Sequence, residues 1–191
     1  MDKKDLLIVF NKIDELIQNP TPVYLAIEGR SGAGKTSLAK IIGSRYDCNI
    51  FHMDDFFLRP GQKTLERLAE VGGNVDYERF TQEVIQGLKS NAEFKYQRYS
   101  CRTLKLERAQ LVVPKKLNII EGVYSMHPNF KDIYDLKIFL DVDEKTQLER
   151  IANRSGKALL ARFIKEWIPK ENEYFQELKI KEKSDIILRL P

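Results

Sequence analysis

Two adjacent carboxylates stand where this chain changes from an apolar run to aromatic residues. Asp54 and Asp55 end the run and are followed at once by Phe56 and Phe57. A carboxylate at the end of a strand can accept a proton from a hydroxyl group or bind a divalent cation. The simpler alternative is that the aspartates form a turn and the aromatics fill a core. A second reactive group nearby would favour the chemical interpretation.

A glycine-rich segment matches the phosphate-binding pattern G-x-x-x-x-G-K-[ST] at every position. Its glycines let backbone amides turn inward and form an anion-binding concavity in front of a helix. The lysine can reach β- and γ-phosphates, and the threonine hydroxyl can bind Mg²⁺. We therefore predict nucleotide binding by this loop and the start of its helix: Gly29, Arg30, Ser31, Gly32, Ala33, Gly34, Lys35, Thr36 and Ser37.

Short apolar runs alternate with helical patterns along the chain. The runs VYLAIEG, NIFHM, LNIIEG, LKIFLDV and DIILRL predict five strands, and helical spacing lies between them. This alternation predicts a single α/β domain of the three-layer P-loop type, with a mainly parallel sheet and helices on both faces. The segment at about 94–114 has only short apolar runs, which predict a small strand insertion on the substrate side.

The strand ends predict where the acidic residues lie. In a parallel sheet of this type, the C-terminal ends of the strands face the same crevice as the phosphate loop. Asp54, after the second strand, and Glu121, at the end of the third, should therefore approach a bound γ-phosphate. We predict Asp54 as the proton acceptor with Asp55 in a supporting role. Thr36, Glu121 and Asp54 are the predicted residues around Mg²⁺.

Composition and patterning argue against several other classes of protein. The formal net charge of the 191 residues is only +4, and no apolar run reaches the roughly 18 residues of a membrane span. We therefore expect neither nucleic acid nor a membrane as a partner. Cys48 and Cys101 indicate no disulfide framework, which favours a cytoplasmic protein. The segment NKID matches a guanine-reading pattern, but it precedes the loop within a helical repeat, so no GTPase is predicted.

Together these segments resemble the uridine kinase and phosphoribulokinase family of P-loop small-molecule kinases. GRSGAGKTS, HMDDFF, NIIEGVYSMHP, YDLKIFLDVDEKTQLERIANR and KSDIILRL follow the family's order and cover most of the chain. The resemblance implies phosphorylation of a small-molecule hydroxyl by ATP and Mg²⁺, with uridine or cytidine as the expected acceptor, giving the 5′-monophosphate. It implies catalytic roles for Asp54, Lys35 and Arg154. It also implies a lid at about 154–165, with Arg150, Arg154 and Arg162 as its arginines.

The resemblance further implies a substrate side of the site, where aromatic residues could stack on a planar base. Arg98 and Arg102 stand where the family's base-reading histidine is expected, so an acceptor bearing phosphate or carboxylate is an alternative. Asp76, Tyr77 and Tyr96 match the family's substrate-binding positions, and by residue type we add Phe56, Tyr124 and Arg98 as further predicted substrate residues.

Two other functions stay open at this point. One is a kinase of the same fold acting on a phosphorylated sugar, a pantothenate-like acid or nicotinamide riboside. The other is a regulatory ATP-binding switch, which would turn over ATP without an acceptor. The sequence is also compatible with a homo-oligomer, and it leaves the choice between ATP and GTP as donor open.

Overall fold

A five-stranded parallel sheet is the centre of the computed structural model, which describes residues 2–130 and 132–190. In chain order the strands are β1 (Val23–Gly29), β2 (Cys48–His52), β3 (Phe94–Tyr96), β4 (Tyr99–Ser100), β5 (Lys105–Leu106), β6 (Gln110–Val112), β7 (Leu117–Glu121), β8 (Leu136–Val142) and β9 (Ile186–Leu190). The helices are α1 (Lys3–Leu16), α2 (Lys35–Arg45), α3 (Leu65–Ala69), α4 (Tyr77–Phe80), α5 (Gln86–Ser90), α6 (Glu144–Arg162) and α7 (Ile168–Glu177).

The strand order of the large sheet is β2-β7-β1-β8-β9, and every neighbouring pair is parallel. This confirms the predicted α/β fold and all five predicted strands. β1 and β7 are buried almost throughout, as the apolar runs on both of their faces predict. Because β1 is central, the loop that follows it emerges in the middle of the sheet edge.

Two hydrophobic cores lie on the two faces of the sheet. Leu25 and Ile27 of β1 face one core, together with residues of α1 and α2, whereas Ala26 between them faces the other. The second core is filled from the segment Tyr77–Ser90 and from α7. The alternation along β1 follows from the two-residue repeat of a strand. The result is the predicted three-layer arrangement.

The segment that follows α5 forms two small antiparallel pairs, β3 with β6 and β4 with β5. Tyr96 and Val112 belong to the second core, so this hairpin region packs against the body of the molecule. Ser100 and Lys105 are paired at its outer end.

α6 contains a break at Gly156, whose φ and ψ of 78° and 167° are not helical. A π-helical turn, Phe163–Trp167, then leads directly into α7. Ile151, Phe163 and Ile168 form a separate small apolar cluster across this region. No helix within the described part of the chain is long and apolar enough to cross a membrane.

Candidate active site

The phosphate-binding loop connects β1 to α2, and its glycines have conformations that other residues avoid. Gly29 has a φ of 140°, and a Cβ there would lie 2.3 Å from the carbonyl oxygen of Leu140. Gly34 has a φ of 95° at the N-cap of α2. The first amides of α2 have no partner within the helix and point toward the loop. The backbone is therefore built as a cradle for an anion.

Lys35 is buried beneath this cradle. Its Nζ atom donates hydrogen bonds to the carbonyl oxygens of Gly29, at 2.7 Å, and Arg30, at 3.0 Å. Its charge also acts on the carboxylates of Asp54 and Glu121 and opposes the effect of burial on both. The structure thus brings the loop lysine and both predicted strand-end acids into one electrostatic cluster.

Thr36 and Glu121 meet as the predicted magnesium site requires. The Thr36 hydroxyl donates to Glu121 Oε1 at 2.9 Å, and His52 Nδ1 lies 2.5 Å from the same oxygen. Burial would raise the pKa of Glu121, but His52, Lys35 and Thr36 lower it overall. The hydrogen bond to Glu121 in turn raises the pKa of His52.

The oxygen atoms at this point fit Mg²⁺, which prefers oxygen ligands and usually keeps several water molecules. Thr36 and Glu121 supply a hydroxyl and a carboxylate oxygen. No cluster of three or more His, Cys, Asp or Glu side chains suited to a metal ion occurs among residues 2–130 and 132–190. The two oxygens of Thr36 and Glu121 suit an ion that is shared between one or two protein ligands and bound phosphates.

His52 is a site residue that sequence reasoning left without a role. It pairs in register with Glu121 across the neighbouring strands β2 and β7. Its position in the sequence could have identified it, because His52 is the last residue of β2 and Glu121 is the last residue of β7. Only the strand order makes these two ends adjacent.

Asp54 lies in the 3-10 turn that follows β2, and its side chain reaches solvent. Desolvation by the surrounding protein atoms nevertheless raises the pKa of Asp54. Glu121 and Asp55 raise it further, whereas Lys35 and Arg154 lower it. A carboxyl group with a raised pKa beside the phosphate loop is suited to accept a proton.

Asp55 points away from this cluster toward the insertion. It is buried, and its Oδ1 atom accepts a hydrogen bond from Arg98 Nε at 3.0 Å. Burial raises the pKa of Asp55, and Arg98 opposes that rise. Arg98 is 45% exposed, but its charge is already paired, so it is poorly placed to read an anionic acceptor by itself.

Three predicted substrate aromatics are core residues. Phe56 is fully buried and packs against Phe80 and Tyr96, with ring centroids 4.9 and 5.9 Å away. Tyr96 is itself buried, and Tyr124 packs edge-on against Tyr174 at 4.8 Å. None of these three rings presents a free face to the crevice. Their burial argues against the predicted stacking on a base. Aromatic side chains suit these positions because they remove a large apolar surface from water.

Asp76 is the N-cap of α4 and Tyr77 is its first residue, and the Asp76 amide donates to the Phe56 carbonyl oxygen in the turn after β2. Asp76 caps that helix by accepting the Arg79 amide, and its other oxygen accepts Gln62 Nε2 at 2.8 Å. Because Asp76 is buried, substrate contact would require Gln62 to move. Tyr77 is only partly buried, and its ring stacks on His127 at 4.5 Å.

The predicted lid arginines occupy two different environments. Arg150 Nη1 lies 3.5 Å from the Gly32 carbonyl oxygen, and the charge of Arg154 acts on Asp54. Both therefore lie beside the phosphate loop. Arg162, beyond the break in α6, forms an exposed ion pair with Glu166 at 3.1 Å.

Two buried acids near the loop were not predicted from sequence. Glu171 of α7 accepts the Ser31 amide at 3.0 Å and the Ser31 hydroxyl at 2.5 Å. Glu28, in β1, accepts the Gly29 amide, the Met126 amide and the Tyr174 hydroxyl. Glu28 could have been noticed as an acid within an otherwise apolar strand.

Burial dominates the electrostatics of both acids. It raises the pKa of Glu28 to about 7, although Lys35 and three hydrogen bonds oppose the rise. It also raises the pKa of Glu171, again against the charge of Lys35 and the hydrogen bonds from Ser31. The carboxyl groups of Glu28 and Glu171, which contact the loop, therefore bind protons more tightly than ordinary glutamates do.

Comparison with known proteins supports a kinase of this fold. No family model matches the chain. A uridine kinase from Ureaplasma parvum serovar 3 is 25% identical over 139 residues, which are 68% of this chain and 67% of that protein. A uridine kinase from Clostridium tetani is 25% identical over 138 residues, 68% of this chain and 66% of that protein. The chain thus spans about two thirds of the length of these curated relatives.

Solved structures share the fold over nearly the whole chain. A possible uridine kinase from Bacillus stearothermophilus has a TM-score of 0.66 and 18% identity, covering 95% of this chain and 99% of its own. A candidate fructose transport system kinase from Silicibacter sp. TM1040 has a TM-score of 0.67 and 22% identity, covering 97% and 98%. At these identities, the two structures establish the architecture.

Proposed function

We propose that this chain, a uridine kinase-like P-loop kinase, transfers the γ-phosphoryl group of ATP to a hydroxyl group of a small molecule. One observation carries the proposal. Lys35 and Thr36 of the phosphate loop meet Asp54 and Glu121, which come from two other segments, at the C-terminal ends of the strands. Phosphoryl transfer needs a loop that binds phosphate, oxygen ligands for a metal ion and a group that accepts a proton.

In the proposed reaction, a bond forms between the acceptor oxygen and the γ-phosphorus. The bond from that phosphorus to the β–γ bridging oxygen breaks, so that ADP leaves, and the hydroxyl proton passes to Asp54. The raised pKa of Asp54 makes it a stronger base than an ordinary aspartate. Lys35 and the amides at the start of α2 hold the phosphates in line with the acceptor.

Thr36 and Glu121 would hold Mg²⁺, which when bound neutralises charge on the β- and γ-phosphate oxygens. His52 keeps the Glu121 carboxylate ionised and oriented through its short contact with Oε1. Arg154 approaches Asp54 from α6 and is placed to balance charge that spreads over the phosphoryl group in the transition state.

A pyrimidine nucleoside is the acceptor that the relatives' names favour, since they are called uridine kinases. The insertion supports this choice only weakly, because Arg98 is paired with Asp55 and Tyr96 is buried. A different metabolite alcohol is the second candidate, and the pairing of Arg98 with Asp55 and the burial of Tyr96 favour it.

The test is ADP release by the purified protein with Mg·ATP across a panel of nucleosides, sugars and vitamin-like alcohols. Stimulation by uridine or cytidine alone supports the nucleoside kinase. Stimulation by another alcohol keeps the mechanism and replaces the acceptor. ATP turnover that is the same with and without every acceptor would contradict the kinase proposal in favour of a switch.

A further inference from the structure

Arg79 is a buried arginine that hydrogen-bonds two main-chain carbonyl groups from different parts of the chain. Its Nη2 atom donates to the Asp55 carbonyl oxygen at 2.8 Å, and its Nη1 atom donates to the Gln97 carbonyl oxygen at 2.6 Å. Asp55 belongs to the 3-10 turn after β2, and Gln97 lies between β3 and β4 of the insertion. Arg79 itself is in α4 and is only 8% exposed. One guanidinium group therefore joins α4, the turn that carries Asp54 and the insertion.

Contacts on the face and the edge of this guanidinium group fix its orientation. Its central carbon lies 4.1 Å from the centre of the Phe56 ring, and Arg79 Nε lies 3.5 Å from Asp76 Oδ2. Arg79 Nη1 also donates to Glu83 Oε2 at 3.3 Å. Two carboxylates and an aromatic face thus hold the positive charge in place inside the protein.

The Asp54 carboxylate depends on the 3-10 turn for its position. Among residues 2–130 and 132–190, no side chain or amide hydrogen-bonds this carboxylate, and only burial and nearby charges act on it. Asp54 and Asp55 share the single turn after β2. Arg79 binds the Asp55 carbonyl oxygen of that turn, and the Asp76 amide donates to the Phe56 carbonyl oxygen at 2.7 Å. Both bonds join the turn to the start of α4.

The position of a proton acceptor strongly affects the rate of transfer. The acceptor atom must lie within about 3 Å of the hydroxyl group, and a misplacement of about 1 Å can lower a rate by about 100-fold. An arginine suits the task of holding the turn, because its planar group donates to several acceptors in a fixed geometry. A lysine ammonium group is a point charge on a flexible stem and does not do so.

We propose that Arg79 is a positioning residue for Asp54. Its guanidinium group fixes the turn after β2, so that the Asp54 carboxylate is held where it can take the proton of the acceptor hydroxyl. The same group binds Gln97, so the insertion and the turn are held in one arrangement. Among the described residues, the hydrogen-bond partners of Arg79 lie outside the phosphate loop, so its role concerns proton transfer and not nucleotide binding. The inference rests on the proposed function and adds a residue to its mechanism.

The test is a double-mutant cycle on kcat with Arg79→Lys and Asp54→Asn. Lysine keeps the charge but cannot bond both carbonyl groups as arginine does. Turnover is followed as ADP release with Mg·ATP and saturating uridine, or with the alcohol of the panel that stimulates the wild type most. We expect Arg79→Lys alone to lower kcat by at least about tenfold. In the Asp54→Asn background it should lower the residual kcat by less than about twofold, because the group that Arg79 positions is no longer a base.

Nucleotide binding and folding are measured beside turnover. The dissociation constant of Mg·ATP, from calorimetry, should change by less than about threefold in Arg79→Lys. Arg45→Lys is the matched control, because Arg45 is an exposed arginine whose ion pair with Asp14, at 2.8 Å, lies at the end of α2. It should leave kcat and the dissociation constant unchanged. A melting curve shows whether each variant is folded, and Arg79→Gln, which can still donate to one carbonyl group, replaces Arg79→Lys if that variant does not fold.

An unchanged kcat in Arg79→Lys would overturn the inference. An equal loss of kcat in both backgrounds would also overturn it, because Arg79 would then act independently of Asp54. A tenfold loss of ATP affinity, or a loss of folding in both Arg79 variants, would overturn it in favour of a purely structural role. If no alcohol of the panel stimulates the wild type, the proposed function fails instead, so the two failures are distinguishable.

Discussion

The Thr36 hydroxyl lies 2.9 Å from Glu121 Oε1, although 85 residues separate them in the chain. The reason is the parallel pairing of β1 with β7, which sets Ile27 opposite Glu121. The loop that follows β1 therefore turns back over the end of its neighbour. The nucleotide-binding and acid-bearing segments of the sequence become one site through this pairing.

Asp54→Asn should abolish phosphoryl transfer and leave nucleotide binding nearly intact. Asparagine has the same shape but cannot accept the acceptor's proton, so we expect kcat to fall by at least about 100-fold. The dissociation constant for Mg·ATP should change by less than about threefold, because Asp54 is not part of the loop. Steady-state kinetics with the active acceptor and calorimetry with ATP measure the two effects. A tenfold loss of ATP affinity with normal turnover would contradict the assigned role.

Lys35→Ala should weaken nucleotide binding and turnover together. The Lys35 Nζ atom makes two hydrogen bonds within the loop, and its charge acts on the carboxylates of Asp54 and Glu121. We expect at least about a tenfold loss of ATP affinity, since a charge-assisted contact to phosphate is lost. Lys40→Ala, at an exposed position of the same helix, is the control. Normal affinity in Lys35→Ala would refute the phosphate-cradle assignment.

Gly29→Ala should destabilise the fold. The added Cβ would lie 2.3 Å from the Leu140 carbonyl oxygen, and a φ of 140° is unfavourable for alanine. We expect the free energy of unfolding to fall by at least about 3 kcal/mol. Gly61→Ala provides the comparison, because a Cβ there meets no atom within 4 Å. Urea unfolding of the two variants measures the difference, and equal stability would show that β8 can yield at this point.

Glu28 should make the protein less stable as pH rises through neutrality. Burial raises the pKa of Glu28 from its ordinary 4.5 to about 7. Between these values the folded chain keeps a proton that the unfolded chain releases, so stability is greatest below pH 4.5 and falls until pH exceeds 7. The full effect is on the order of 3 kcal/mol.

Glu28→Gln should remove that contribution, because glutamine does not titrate. The measurement is the free energy of unfolding in urea at pH 5 and pH 8 for wild type and variant. The loss between the two pH values should be smaller in Glu28→Gln by a few kcal/mol. The exposed substitution Glu177→Gln should keep the wild-type dependence. Identical pH dependence in Glu28→Gln and wild type would count against the raised pKa.

The sequence determined the architecture and the phosphate loop. The apolar runs of β1 and β7 predict a buried parallel sheet because helices cover both faces of such a sheet. The glycines before Lys35 predict the cradle because no other residue adopts their backbone conformations at low energy. These properties are local, so the pattern of residues is sufficient to specify them.

Only the tertiary structure decided which side chains face the crevice. Phe56 and Tyr96 look like stacking residues by type, but the packing of the second core turns them inward. His52 joins Glu121 because β2 lies beside β7, and Glu171 reaches Ser31 from a helix 140 residues further along the chain. Such contacts depend on strand order and helix placement, and these are set by the burial of the whole chain and not by any short segment of it.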